Sequence, residues 1–89
     1  MRTHYLKIWP EFWPAIKSGK KPFEVRRDDW GFAVGDVLVL KEYDPAALGG
    51  AGKYTGKEVN RRITYKLPGG KFGIDPNYCV LGLSEIPDS

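Results

Sequence analysis

One cysteine, one histidine and one methionine are all that 89 residues provide of those types. A lone thiol, Cys79, cannot close an internal disulfide. Its place in the apolar run Tyr78-Cys79-Val80-Leu81 predicts a small buried side chain. With His4 as the other soft ligand, the chain lacks the cluster that a structural zinc requires. Long apolar runs are missing too. Nothing approaches the roughly 20 residues of a membrane span, and no signal-peptide pattern opens the chain. No metal, cofactor or membrane partner is expected, and a reducing cytoplasm is the expected compartment.

What is present supports a folded globule. Hydrophobic residues make up 42% and aromatics 13%, enough to fill one small core but not two, so a single domain over residues 1–89 is expected. The net charge of +3 favours a polyanionic partner without naming it. Positive charge gathers at Lys17, Lys20 and Lys21, at Arg26-Arg27 and at Arg61-Arg62. Asp28-Asp29 and an acidic tail with Glu85 and Asp88 lie elsewhere, and an ion pair between Arg26-Arg27 and Asp28-Asp29 is the simplest local arrangement.

Short apolar segments alternate with turn signals along the chain. Thr3 to Ile8 reads as a strand, with His4, Leu6 and Ile8 on one face, and His4 as a hydrogen-bonded core residue. From Trp9-Pro10 the period changes to four, pairing Trp9 with Trp13 and Phe12 with Ile16 in a short helix that Gly19 stops. Pro14 sits awkwardly in that helix. Val37 to Leu40 reads as a strand covered on both faces. Asp44 to Gly52 reads as a surface loop, Glu58 to Tyr65 as another strand and Tyr78 to Leu83 as the last. Arg61 shares the apolar parity of Val59, Ile63 and Tyr65, which requires either a bulge or a rim position.

The segment Gly19-Lys20-Lys21-Pro22-Phe23-Glu24-Val25-Arg26-Arg27 concentrates the chemistry. In a strand, Phe23 and Val25 point to one face while Glu24 and Arg26 point to the other. With the apolar pair anchored in the core, the acid and the bases would form a polar face able to meet a base edge, a phosphate or a carbonyl. Five strands and one or two short helices result, a mainly β (α+β) chain whose strands must curl into a small barrel to hide their edges.

The block from Ser18 to Arg26 resembles the Gly-x-Lys-x-x-Glu-x-Arg signature of the ASCH superfamily, which has a PUA-like fold. Thr3–Ile8, the Val34-Gly35-Asp36 turn, Glu42-Tyr43-Asp44, the Tyr54-Thr55-Gly56 turn and the Tyr78–Gly82 strand extend the likeness over nearly the whole chain. Together they resemble a compact bacterial and phage branch described as a domain of unknown function. That resemblance implies RNA binding in a cleft beside the signature, with Lys21, Glu24 and Arg26 at its centre and Lys20 and Arg27 as outer phosphate contacts. A related small branch hydrolyses the acyl group of N4-acetylcytidine, with a lysine at the position of Lys21 and a threonine nucleophile at that of Glu24. The carboxylate here departs from that pattern.

The expected function is therefore binding of RNA or a modified nucleoside, with Trp30 or Tyr43 stacking on the base. A second reading is a hydrolase acting on an acylated nucleoside, or a ribonuclease, with Lys21 and Glu24 as catalytic residues. A protein-interaction module is the third. The purely structural alternatives are an exposed Lys21–Glu24 ion pair, and an Arg26 that pairs with Glu24 or Asp29 to close a barrel rim. The remaining aromatics, Trp9, Phe12, Trp13, Phe32, Tyr65 and Tyr78, are mostly expected in the core.

Overall fold

The computed structural model describes residues 1–87, so Asp88 of the acidic tail lies outside the described residues. Five strands form one sheet: β1 (Thr3–Ile8), β2 (Phe23–Arg27), β3 (Val37–Asp44), β4 (Lys53–Pro68) and β5 (Tyr78–Glu85). Their order is β1-β3-β4-β5-β2, curled into a half-barrel. β1 and β3 are parallel and the other pairs antiparallel. Strands β1 and β2, consecutive in sequence, thus occupy the two opposite edges. Curling turns these edges toward one another, so the barrel has an open seam instead of a closed ladder.

Helix α1 (Trp13–Lys17) joins those edges. It is shorter than the sequence spacing suggests, because Pro10 to Phe12 form a turn before it. Pro14 therefore falls in the first turn, where a missing amide costs nothing. Gly19 leaves the helix at φ +82°, a conformation that side chains resist. On the barrel side, α1 buries Trp13 and Ile16 against Leu6, Ile8, Leu38, Leu40 and Leu81. Burying each such side chain contributes about 1.5–3 kcal/mol.

Alternation on β1 holds: His4, Leu6 and Ile8 are buried and their neighbours exposed. Leu38, Val39 and Leu40 are all buried, as a strand covered on both faces requires. Cys79 is fully buried, and burial pushes its thiol pKa up. His4 Nε2 lies 2.9 Å from Asp36 Oδ2, which ties β1 to the turn before β3. Asp36 also accepts the amides of Arg2 and Ala33 at 3.0 and 3.1 Å.

Two expectations fail on β4. Tyr54-Thr55-Gly56 is not a turn but part of the strand, which runs 16 residues instead of starting at Glu58. The misreading has a cause. Register passes from Lys41↔Glu58 to Tyr43↔Tyr54, so Thr55, Gly56 and Lys57 bulge opposite Glu42, and Gly56 takes φ +91°. Between Asp44 and Lys53 lies a short kinked element, α2 (Ala47–Gly50). Arg61 resolves its parity problem at the rim, where Nη2 donates to the Ile16 carbonyl of α1 at 3.2 Å. A second bulge follows Ile63 and turns Tyr65 to solvent.

Candidate functional site

The strand carrying the signature block faces the opposite way from the sequence expectation. Glu24 is buried at 3% exposure, whereas Phe23 and Val25 are 41% and 51% exposed. Alternation correctly groups these residues, but the apolar pair points outward and the charged face points in. Burial of the carboxylate is offset by two charge-assisted bonds. Lys21 Nζ donates to Glu24 Oε1 at 3.0 Å, and Arg26 Nε donates to Glu24 Oε2 at 3.1 Å. Among the described residues, no buried side-chain nitrogen or oxygen lacks a partner.

Arg26 makes one further contact. Its Nη2 donates to the Lys7 carbonyl on β1 at 2.7 Å, spanning the seam with a side chain where strand pairing is lacking. Pairing with Glu24 and closing the rim are thus both observed for this residue. Lys21 is anchored too: its amide donates to the Ala15 carbonyl at 2.9 Å, and its ammonium lies 5.2 Å from the Phe12 ring and 5.5 Å from the Phe23 ring. These rings present their negative faces to the cation and hold it over the seam.

A groove of about 490 Å³ opens along the seam. Lys7, Ile8 and Trp9 line its β1 side, Phe12 its helix side, and Lys21, Glu24, Val25 and Arg26 its β2 side. Lys21 and Arg26 each expose about a quarter of the side chain, at 24% and 26%, while Glu24 below them stays covered. The groove is therefore a cationic floor braced from beneath by one carboxylate. Trp9 and Phe12, expected in the core, are 43% and 44% exposed at its rim.

Other expected site residues lie apart from this groove. Across Arg26 is a smaller hollow of about 190 Å³, lined by Leu6, Arg27, Asp29, Trp30 and Phe32. There the Trp30 ring stacks near His4, with centroids 6.3 Å apart and planes 14° from parallel. Arg27 pairs with Asp29 at 3.1 Å, both well exposed, and Asp28 pairs instead with Lys66 at 2.9 Å. Tyr43 sits beyond Trp9, 6.0 Å away between ring centroids, and does not line the groove. Lys20 is exposed beside Lys21, its amide donating to Ser18 Oγ at 3.4 Å. The expected aromatic Tyr65 and Tyr78 are also exposed, leaving Trp13 and Phe32 as the buried rings of the set.

Sequence reasoning missed Lys7, Trp9 and Phe12 as groove residues. Their one signal was the position of Lys7 on the outward parity of β1, followed directly by an aromatic-rich turn. It also missed Glu42, a buried carboxylate whose Oε1 accepts the Thr55 hydroxyl at 2.8 Å. Among the described residues, no three His, Cys, Asp or Glu side chains gather as a metal would need, and no helix is long and apolar enough to cross a membrane.

Comparison with known proteins adds a lineage. The chain is 32% identical over 63 residues to an uncharacterized 12.9 kDa protein in the GpA 3′ region of Escherichia phage P2. That match takes in 71% of the chain and 52% of the relative, so the chain spans about half the length of the phage protein it matches. Residues 3–83, from the start of β1 into β5, match the family described as Domain of unknown function (DUF3850). Strand β1, the braced signature block and the seam between them all fall inside that match, and the chain belongs to this family.

Proposed function

We propose that the seam groove binds RNA, or a modified nucleoside within it. In this reading Lys21 and Arg26 meet phosphate or a base carbonyl, and Trp9 or Phe12 stacks on the base. The carrying observation is the pair of cations fixed on one buried carboxylate, each with about a quarter of its side chain open to the groove. Cations held in place this way lose little side-chain freedom on binding, so more of their attraction for an anion appears as affinity. The rim aromatics supply the sequence-tolerant part, since every base has a face to stack.

The Gly19-x-Lys21-x-x-Glu24-x-Arg26 block also supports placing the family within the ASCH superfamily and its PUA-like fold. That placement favours RNA over other polyanions. A single buried thiol suits a reducing compartment such as the cytoplasm. In this reading Glu24 acts as a brace, each of its oxygens accepting from one of the two cations.

Salt titration tests the proposal. Three phosphate contacts within the groove, from Lys7, Lys21 and Arg26, give a log–log slope of affinity against salt of about −2 or steeper for a single strand. Retardation of single-stranded RNA at micromolar protein that shows this slope supports the reading; absence of salt-dependent retardation ends it.

A further inference from the structure

The groove does not stop at Trp9. Its β1 wall continues onto the outer face of the sheet, where Trp9, Tyr43 and Tyr54 form an unbroken aromatic line. Ring centroids are 6.0 Å apart from Trp9 to Tyr43 and 5.0 Å apart from Tyr43 to Tyr54. Two lysines lie over its rings. Lys7 Nζ lies 4.3 Å from the Tyr43 centroid, and Lys41 Nζ lies 4.8 Å from that of Tyr54. Lys7 belongs to both surfaces, because it also lines the groove.

Backbone choices hold this line in place. The bulge of β4 opposite Glu42 brings Tyr54 level with Tyr43, directly across the β3–β4 ladder. Gly52, at φ +85°, leaves the space that the Tyr43 ring occupies, and a methyl group there would collide with the tyrosine hydroxyl. The same hydroxyl donates to the Ala51 carbonyl at 3.4 Å. Lys41 has Glu58 as its register partner on β4, so Lys7 and Lys41 leave that part of the face with a modest positive balance.

Building on the proposed groove, we infer that the ligand is a single-stranded RNA of several nucleotides and not a free nucleoside. One nucleotide occupies the groove over Lys21 and Arg26, and its neighbours run past Trp9 across Tyr43 and Tyr54. Their phosphates meet Lys7 and Lys41. Tyr43 and Tyr54 meet edge to face with lysine ammonium groups over their rings, so this surface offers stacking and phosphate contacts side by side, as a chain of bases and phosphates requires. An isolated nucleoside would leave this second surface unused.

Length dependence decides the matter, measured by fluorescence anisotropy at low salt with UMP as competitor and labelled hexauridylate as probe. Each stacked base contributes about fivefold or more in affinity, so hexauridylate should outbind UMP by at least about tenfold. Tyr54→Ala should cut that ratio severalfold, and Lys41→Gln, a milder change on a partly buried strand position, should cut it in the same direction. A ratio near unity overturns the inference while leaving the groove reading intact, as does a ratio that neither substitution alters. If neither probe binds, the groove reading falls and the inference falls with it.

Discussion

Arg26 on β2 donates to the main-chain carbonyl of Lys7 on β1 at 2.7 Å, so one side chain bridges the two edges of the sheet. The same guanidinium holds Glu24 at 3.1 Å. One residue therefore both closes the edge and supplies, with Lys21, the cationic floor of the groove. An arginine can do both because its five donors spread over a rigid fork, which a lysine cannot copy.

Glu24→Gln is expected to destabilise the fold. The substitution keeps the shape but removes the charge that pairs Lys21 and Arg26, and the two cations then repel without a shared counter-ion. A cost of about 1–3 kcal/mol follows, moderated because both cations are partly solvated. It would be read as a lower urea midpoint with an unchanged slope.

Val25 should matter little to stability despite its apolar side chain. It is 51% exposed, so Val25→Thr should shift the unfolding free energy by no more than about 0.5 kcal/mol. Leu81, fully buried on the neighbouring strand β5 directly across from Glu24, should lose about 2–5 kcal/mol as Leu81→Ala. Denaturant melts of the two variants, side by side, check the face assignment of β2.

Acid should loosen the turn that anchors β1. The His4 hydrogen bond, helped by the Arg2 amide, lowers the Asp36 pKa from 3.8 to about 2. Its folded pKa is thus below its unfolded one, and the unfolded chain takes up the proton first as pH falls. The stabilisation is complete above pH 3.8 and is lost progressively toward pH 2. Thermal melts should show that step in the wild type, and Asp36→Asn should be less stable at neutral pH and lack this contribution to the acid step.

Much of the strand layout was legible because burial imposes a period. Thr3–Ile8 alternates cleanly, and Val37–Leu40 runs apolar because both faces of β3 are covered. The direction of β2 was not legible for a physical reason. Period two tells which residues share a face, while the choice of inward face depends on what lies opposite. Opposite β2 lies a seam and not a wall of apolar side chains, so Glu24 turns in to its two cations and Phe23 and Val25 turn out. Similarly, Tyr54-Thr55-Gly56 has turn chemistry but serves as a bulge within a long strand. The signature block pointed to one wall of the groove. Its other wall, Lys7 to Phe12, comes from a segment whose proximity depends on the curl of the whole sheet.

Amide chemical-shift mapping during titration with single-stranded RNA tests the central claim most directly, that the seam is the binding site. The account predicts that the largest shifts fall on Lys7, Ile8, Trp9 and Phe12 and on Lys21 through Arg26, on both sides of the seam together. Saturable shifts confined elsewhere, such as the rim around Lys17, Asn60 and Arg61, would contradict it.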